Sequence, residues 1–241
     1  MPNIECRFIL AGRKRIRNTY TYSVSTKFLD SFSHLFAETL LLRTDRHFQL
    51  YTRAKNNKVW INRTTSGVVV GGYTPQLNKI KASAVSGNIG EALIIPSIAA
   101  TLKKPLNKMQ FARIRKPRTM SPDYIVHLIP SEIKSLWKLP LSIWSIMPDV
   151  LPVEAKAGFN KGNDYPVKGL NQLHNFWKEC NTSGDIRYIG YGIVASINIV
   201  GTNRIIISFY LFIKKWPTVT NTALLSQTAD YLKVNAKEFF V

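Results

Sequence analysis

Cysteine is nearly absent from this chain: Cys6 and Cys180 are the only two in 241 residues. Two thiols so far apart supply neither a disulfide framework nor the paired spacing of a structural zinc site. The four histidines, His34, His47, His127 and His174, show no ligand spacing and read as core or surface residues. Long apolar runs are also missing. The longest, from Ile205 to Ile213, includes Ser208 and is far too short to span a bilayer. Glu5, Arg7 and Arg13 interrupt the early apolar residues, so no secretory signal is expected and the chain reads as a soluble cytoplasmic protein. No Gly-Lys-Ser/Thr triplet occurs, which excludes a P-loop. Acids are scarce: 14 Asp and Glu stand against 33 Lys and Arg, a net charge of +19.

That imbalance points to polyanionic partners, of which nucleic-acid phosphates are the commonest. The fraction of apolar residues, 45%, is high enough to bury a substantial core. Without repeats, low-complexity tracts or linkers, residues 1–241 read as a single domain. Residues 1–75 are a candidate DNA-contacting lobe and 86–215 the core.

Periodicity sketches the elements. Residues 4–25 read as a hairpin whose basic turn holds Arg13, Lys14 and Arg15. Phe28, Leu29, Phe32, Leu35, Phe36 and Leu40 predict a helix over 26–42. Strands follow at 46–53 and 58–73, with Val68 to Val70 as a buried strand end. A helix over 87–104 carries Glu91 near its start, with Pro96 expected to kink or break it. Residues 105–120 form a basic stretch that includes Lys108, Arg113, Arg115, Lys116 and Arg118. Strands are expected at 123–127 and 150–156, with helical pieces over 131–147 between them. Those pieces carry Leu136, Trp137, Ile143 and Trp144, as core or as a dimer surface. A Gly- and Asn-rich loop at 157–168 leads to a helix over 166–180, buried through Leu170, Leu173, Phe176 and Trp177. Two apolar runs at 186–200 and 203–214 form a covered hairpin, and a helix spans 221–238. The class is α/β (α+β), a mixed sheet core flanked by helices.

Two segments carry chemistry: Ser121-Pro122-Asp123-Tyr124-Ile125-Val126 and Val150-Leu151-Pro152-Val153-Glu154-Ala155-Lys156. Residues i and i+2 of a strand share a face, so Glu154 and Lys156 point together and Ala155 points away. The Ala155 carbonyl is left as a further oxygen ligand. If the two strands are neighbours, Asp123 joins them. Two carboxylates suit a hard divalent cation such as Mg²⁺, and a lysine can position a water beside it. Asp149, also after a proline, lies too close to Glu154 for a separate strand and reads as a turn residue.

The pattern Pro122-Asp123 with Glu154-Ala155-Lys156 resembles the PD-(D/E)xK nucleases, the restriction-endonuclease-like superfamily, over about residues 86–178. The resemblance implies Mg²⁺ held by Asp123, Glu154 and the Ala155 carbonyl, with Lys156 positioning the attacking water. Glu91 matches the family's upstream helical glutamate, and Gln172 the glutamine on the helix after the lysine. A chain of this size without an ATPase segment looks most like a type II restriction endonuclease, a homodimer cutting double-stranded DNA, with a cognate methyltransferase encoded nearby. Arg13, Lys14, Arg15, Arg113, Arg115, Lys116, Arg118, Lys168 and Gln172 are then the expected DNA contacts. Three alternatives stand beside this. The enzyme could be a junction-resolvase-like repair nuclease. It could be a basic nucleic-acid-binding protein in which Glu154 and Lys156 are a solvated pair on an edge strand. Glu91 could serve only the helix dipole.

Overall fold

Stretches rich in Val, Ile, Tyr and Phe become strands of one sheet, and the alanine-rich and amphipathic stretches become helices on its faces. The structure is a computed structural model. It describes residues 3–12, 17–23, 61–64, 67–70, 82–113, 122–144, 147–158, 165–184, 186–200, 204–213 and 225. The expected helices at 26–42 and 221–238 and the strand at 46–53 lie outside the described residues, apart from helical, buried Leu225.

In chain order the elements are β1 (Asn3–Leu10), β2 (Arg17–Ser23), β3 (Ile61–Thr64), β4 (Gly67–Val70), α1 (Ala82–Thr101), β5 (Gln110–Arg113), β6 (Tyr124–His127), α2 (Pro130–Trp137), α3 (Leu141–Trp144), β7 (Val150–Gly158), α4 (Tyr165–Ser183), β8 (Gly192–Val200) and β9 (Arg204–Phe212). Seven strands form a mixed sheet in the order β2-β1-β9-β8-β7-β6-β5. The β1–β9 and β7–β8 pairs are parallel and the others antiparallel. β7, α4 and β8 make a crossover unit, because parallel neighbours cannot be joined by a tight turn. The class is α+β, as the sequence implies. Both expected hairpins are present, 4–25 as β1–β2 and 186–214 as β8–β9. The 58–73 stretch holds two short strands, β3 and β4, paired with each other instead of one long strand.

Alternation along the strands splits the core in two. One face of the sheet packs Ile4, Phe8, Val153, Ala155, Ile207 and Phe209 against α1 and α2. The other packs Val194, Tyr210 and Phe212 against Leu170, Leu173 and Trp177 of α4, together with Leu225. Trp137 of α2 is fully buried against Phe8, and its indole nitrogen donates to the Phe209 carbonyl at 3.2 Å. Leu136, Trp137 and Ile143 are therefore core, not a dimer surface.

Two expectations for α1 need correction. The helix starts at Ala82, not 87, so Glu91 lies mid-helix and no acid occupies the first turn. The dipole reading of Glu91 falls with that. Of the kink or break expected at Pro96, the break does not occur, and the helix runs on to Thr101. A mid-helix proline costs about 3 kcal/mol, but Leu93, Ile94, Ile95 and Ile98 are fully buried, each stabilising by about 1.5–3 kcal/mol. Burial wins. No helix among the described residues is long and apolar enough to cross a membrane.

Glycines let both covering helices close on β7. A Cβ placed on Gly90 of α1 would sit 2.4 Å from the Ala157 Cβ. One placed on Gly169 of α4 would sit 2.6 Å from Val194 Cγ1 and 3.5 Å from Lys156 Cγ. Gly90→Ala gains about 1 kcal/mol of helix propensity. It meets an inflexible strand methyl, and overpacking of that kind costs about 1–3 kcal/mol. Net destabilisation is expected as a lowered urea midpoint, restored in the Gly90→Ala, Ala157→Gly double variant. An unchanged midpoint in the single variant would show that α1 does not approach β7 this closely.

Candidate active site

β6 and β7 pair from His127↔Val150 to Tyr124↔Val153, and there the ladder stops. The next residues are Asp123 on one strand and Glu154 on the other. Asp123 continues the pairing with its side chain: the Ala155 N–H donates to Asp123 Oδ2 at 2.7 Å. A residue's N–H and C=O point to the same edge of a strand. The Ala155 carbonyl is therefore directed to the edge where the Asp123 carboxylate lies. The amides of Glu154 and Lys156 face β8, which pairs in parallel from Val153↔Ile193 onward. Pro152 fits inside this central strand because its missing N–H falls on the β8 side, before that pairing begins.

Glu154 and Lys156 share the α4 face, as the spacing predicts. Lys156 lies against Gly169, whereas Ala157 lies against Gly90 on the α1 face. Lys156 Nζ donates to Glu154 Oε1, and the lysine side chain is 24% exposed. Glu154 is 0% exposed, so the solvated-pair alternative is excluded. Its other oxygen, Oε2, is buried with no hydrogen-bond partner among the described residues. Burial pushes the Glu154 carboxyl up to about 8, and the Asp123 charge pushes the same way; Lys156 opposes both and does not prevail. A buried acid with an unsatisfied oxygen must keep its proton or accept a cation. Two carboxylates and a main-chain carbonyl form an oxygen donor set that suits a hard divalent cation. Among the described residues no group of three or more His, Cys, Asp and Glu side chains is placed to hold a metal.

The chain matches no family model, no curated protein and no solved structure.

Glu91 is 6% exposed and follows Gly90 on α1, the helix over the Ala155–Ala157 face of β7. Arg113 is the β5 residue opposite Tyr124, one position from Asp123. Lys168 is exposed and Gln172 half-buried on the first turns of α4, flanking Gly169. Arg13, Lys14, Arg15, Arg115, Lys116 and Arg118 lie outside the described residues. Asp149 sits in the bend before β7 and its Oδ2 is 3.1 Å from His127 Nε2, in keeping with a turn residue. His174 is 2% exposed with neither ring nitrogen partnered among the described residues. Burial lowers its pKa, with Lys178 adding to the effect. What sequence reasoning missed is the second task of Asp123, which holds the Ala155 amide where β6 stops. Its only sequence signal is Pro122, which disfavours helix before it and suits a strand start.

Proposed function

We propose that the protein is a Mg²⁺-dependent endonuclease of restriction-endonuclease-like fold that hydrolyses phosphodiester bonds of double-stranded DNA at specific sites. The observation that carries this is Glu154: a fully buried carboxylate with one oxygen on Lys156 and the other without a hydrogen-bond partner among the described residues, beside Asp123 at the end of the β6–β7 ladder. Asp123, Glu154 and the Ala155 carbonyl would hold the cation. When bound, Mg²⁺ supplies a lowered pKa for water and compensation of phosphate charge. Asp123 is already oriented, because Oδ2 is fixed by the Ala155 amide and Oδ1 shares its plane. Lys156 Nζ has three hydrogens, one engaged by Glu154 Oε1, and can give another to the attacking water or to a phosphate oxygen. Lys168, exposed on the first turn of α4, would meet a phosphate of the duplex. A type II restriction enzyme working as a homodimer on a palindromic site, paired with a cognate methyltransferase, fits the size and charge of the chain.

The test is digestion of a fully sequenced plasmid with Mg²⁺ and with EDTA. Discrete Mg²⁺-dependent fragments are expected. A Mg²⁺-dependent smear would remove the site-specific assignment. Cutting confined to four-way junctions would move the reading to a resolvase. Binding without cutting on any DNA would leave a basic binding protein.

A further inference from the structure

We infer that the outward stripe of α4 enters the major groove of duplex DNA and reads base edges. This rests on the nuclease reading only for its position beside the site. The stripe consists of Lys168, Asn171, Gln172, Asn175 and Lys178, with Glu179 at its far end. These positions fall three or four apart on successive turns, so they form one face of the helix. Lys168, Asn171 and Lys178 are exposed, and Gln172, Asn175 and Glu179 are half-buried. The opposite face, Leu170, Leu173, Trp177 and Cys180, is spent in the core. The helix is thus held rigidly by its apolar side, and every position of the stripe itself is polar or charged.

Two further observations fix the occupant. First, the stripe begins beside the candidate active site: Lys168 adjoins Gly169, where an added Cβ would sit 3.5 Å from Lys156 Cγ. Second, the side chains have the chemistry of base edges. Asn and Gln pair with the two polar atoms of adenine, and Lys with the two acceptors of guanine, in the major groove. That groove, about 12 Å wide, admits an α-helix. From Lys168 to Lys178 the stripe is about 15 Å long at 1.5 Å per residue, or about four base pairs at 3.4 Å each. A net charge of +19 supplies the attraction. Lysines at the ends with amides between them divide the work: the ends set the register on phosphate or guanine, and the amides discriminate.

The experiment is selection from a randomised 20-bp duplex pool by the full-length protein in EDTA, followed by anisotropy titrations of the enriched duplex. The wild type should enrich a short motif. Asn171→Ala and Asn175→Ala should each weaken binding to that motif tenfold or more and relax it at one position. Lys178→Ala should either relax one guanine position or weaken all duplexes alike, with a salt slope about one unit shallower. Circular dichroism, together with recovery in Lys178→Arg, separates these effects from misfolding. Variants that keep the wild-type motif and affinity within twofold overturn the inference. So does a wild type that enriches no motif, or that binds single strands or RNA more tightly than duplex. A wild type that enriches a motif through these residues yet never cuts with Mg²⁺ supports the stripe and refutes the nuclease. A site-specific cutter indifferent to the stripe variants does the reverse.

Discussion

Asp123→Asn and Asp123→Ala are expected to abolish Mg²⁺-dependent cleavage alike, by on the order of 1,000-fold or more, while differing in stability. A carboxylate at a catalytic cation contributes several kcal/mol to the transition state, and each 1.36 kcal/mol is a factor of ten in rate. Neither substitution leaves a negative charge at 123. The two differ in what happens to the Ala155 amide. The asparagine side-chain oxygen can still accept the bond that Asp123 Oδ2 now takes from Ala155 N–H. Alanine cannot, and a part-buried donor is left unmatched for about 1–2 kcal/mol. Lys156→Ala should be as inactive and should strand Glu154 without its one side-chain donor among the described residues. Initial cleavage rates and urea midpoints in EDTA measure both effects. If Asp123→Asn keeps more than a tenth of wild-type activity, the cation site is not here. If the two Asp123 variants are equally stable, the side-chain extension of the ladder contributes nothing.

Glu154→Gln should stabilise the Mg²⁺-free protein at alkaline pH, which is unusual for loss of an ion pair. The Glu154 carboxyl is raised from 4.5 to about 8, first by burial and next by Asp123. In the unfolded chain it ionises near 4.5. Between those values the folded protein holds a proton that the unfolded chain releases, so stability falls as pH rises from 4.5 to about 8 and then levels off. The full span corresponds to at most about 5 kcal/mol. Glutamine cannot ionise and should escape that loss, although it also leaves the Lys156 charge without its partner. A net gain of about 1–3 kcal/mol at pH 9 is expected, vanishing below pH 5. Urea titrations in EDTA at pH 5, 7 and 9 read this directly. Mg²⁺ should reverse the ranking, because it stabilises only the wild type, and its apparent affinity should climb with pH until about 8 as the proton is displaced. A variant advantage that does not depend on pH would show that Glu154 is ionised throughout.

Legibility in the sequence followed locality. β1–β2 and β8–β9 could be read because alternation and apolar runs lie within a few residues of each turn. Glu154 and Lys156 shared a face for the same local reason, the two-residue period of a strand. β5 could not be read. Gln110–Arg113 lies in a basic stretch and is a strand only because β6 offers it an edge to pair with. The start of α1 was misplaced because Gly87 and Asn88 look like a boundary, whereas the helix is set by burial of the residues after them. The full burial of Glu154 and the bond from Ala155 to Asp123 depend on the register of β6 against β7. Register is a property of two distant segments brought together, and neither segment encodes it alone.

Ala155 separates two kinds of constraint. Its amide and carbonyl face the Asp123 edge, while its methyl is buried in the core on the α1 face, beside Ala157 where α1 closes through Gly90. The proposed chemistry would use only the main chain at this position, and every residue except proline provides the same main chain. The identity of residue 155 is thus decided by the helix on the far side of the sheet. Homologous chains with a looser α1 would be free to carry a larger residue between the same glutamate and lysine, so variability at that position would measure helix packing, with the reaction unchanged.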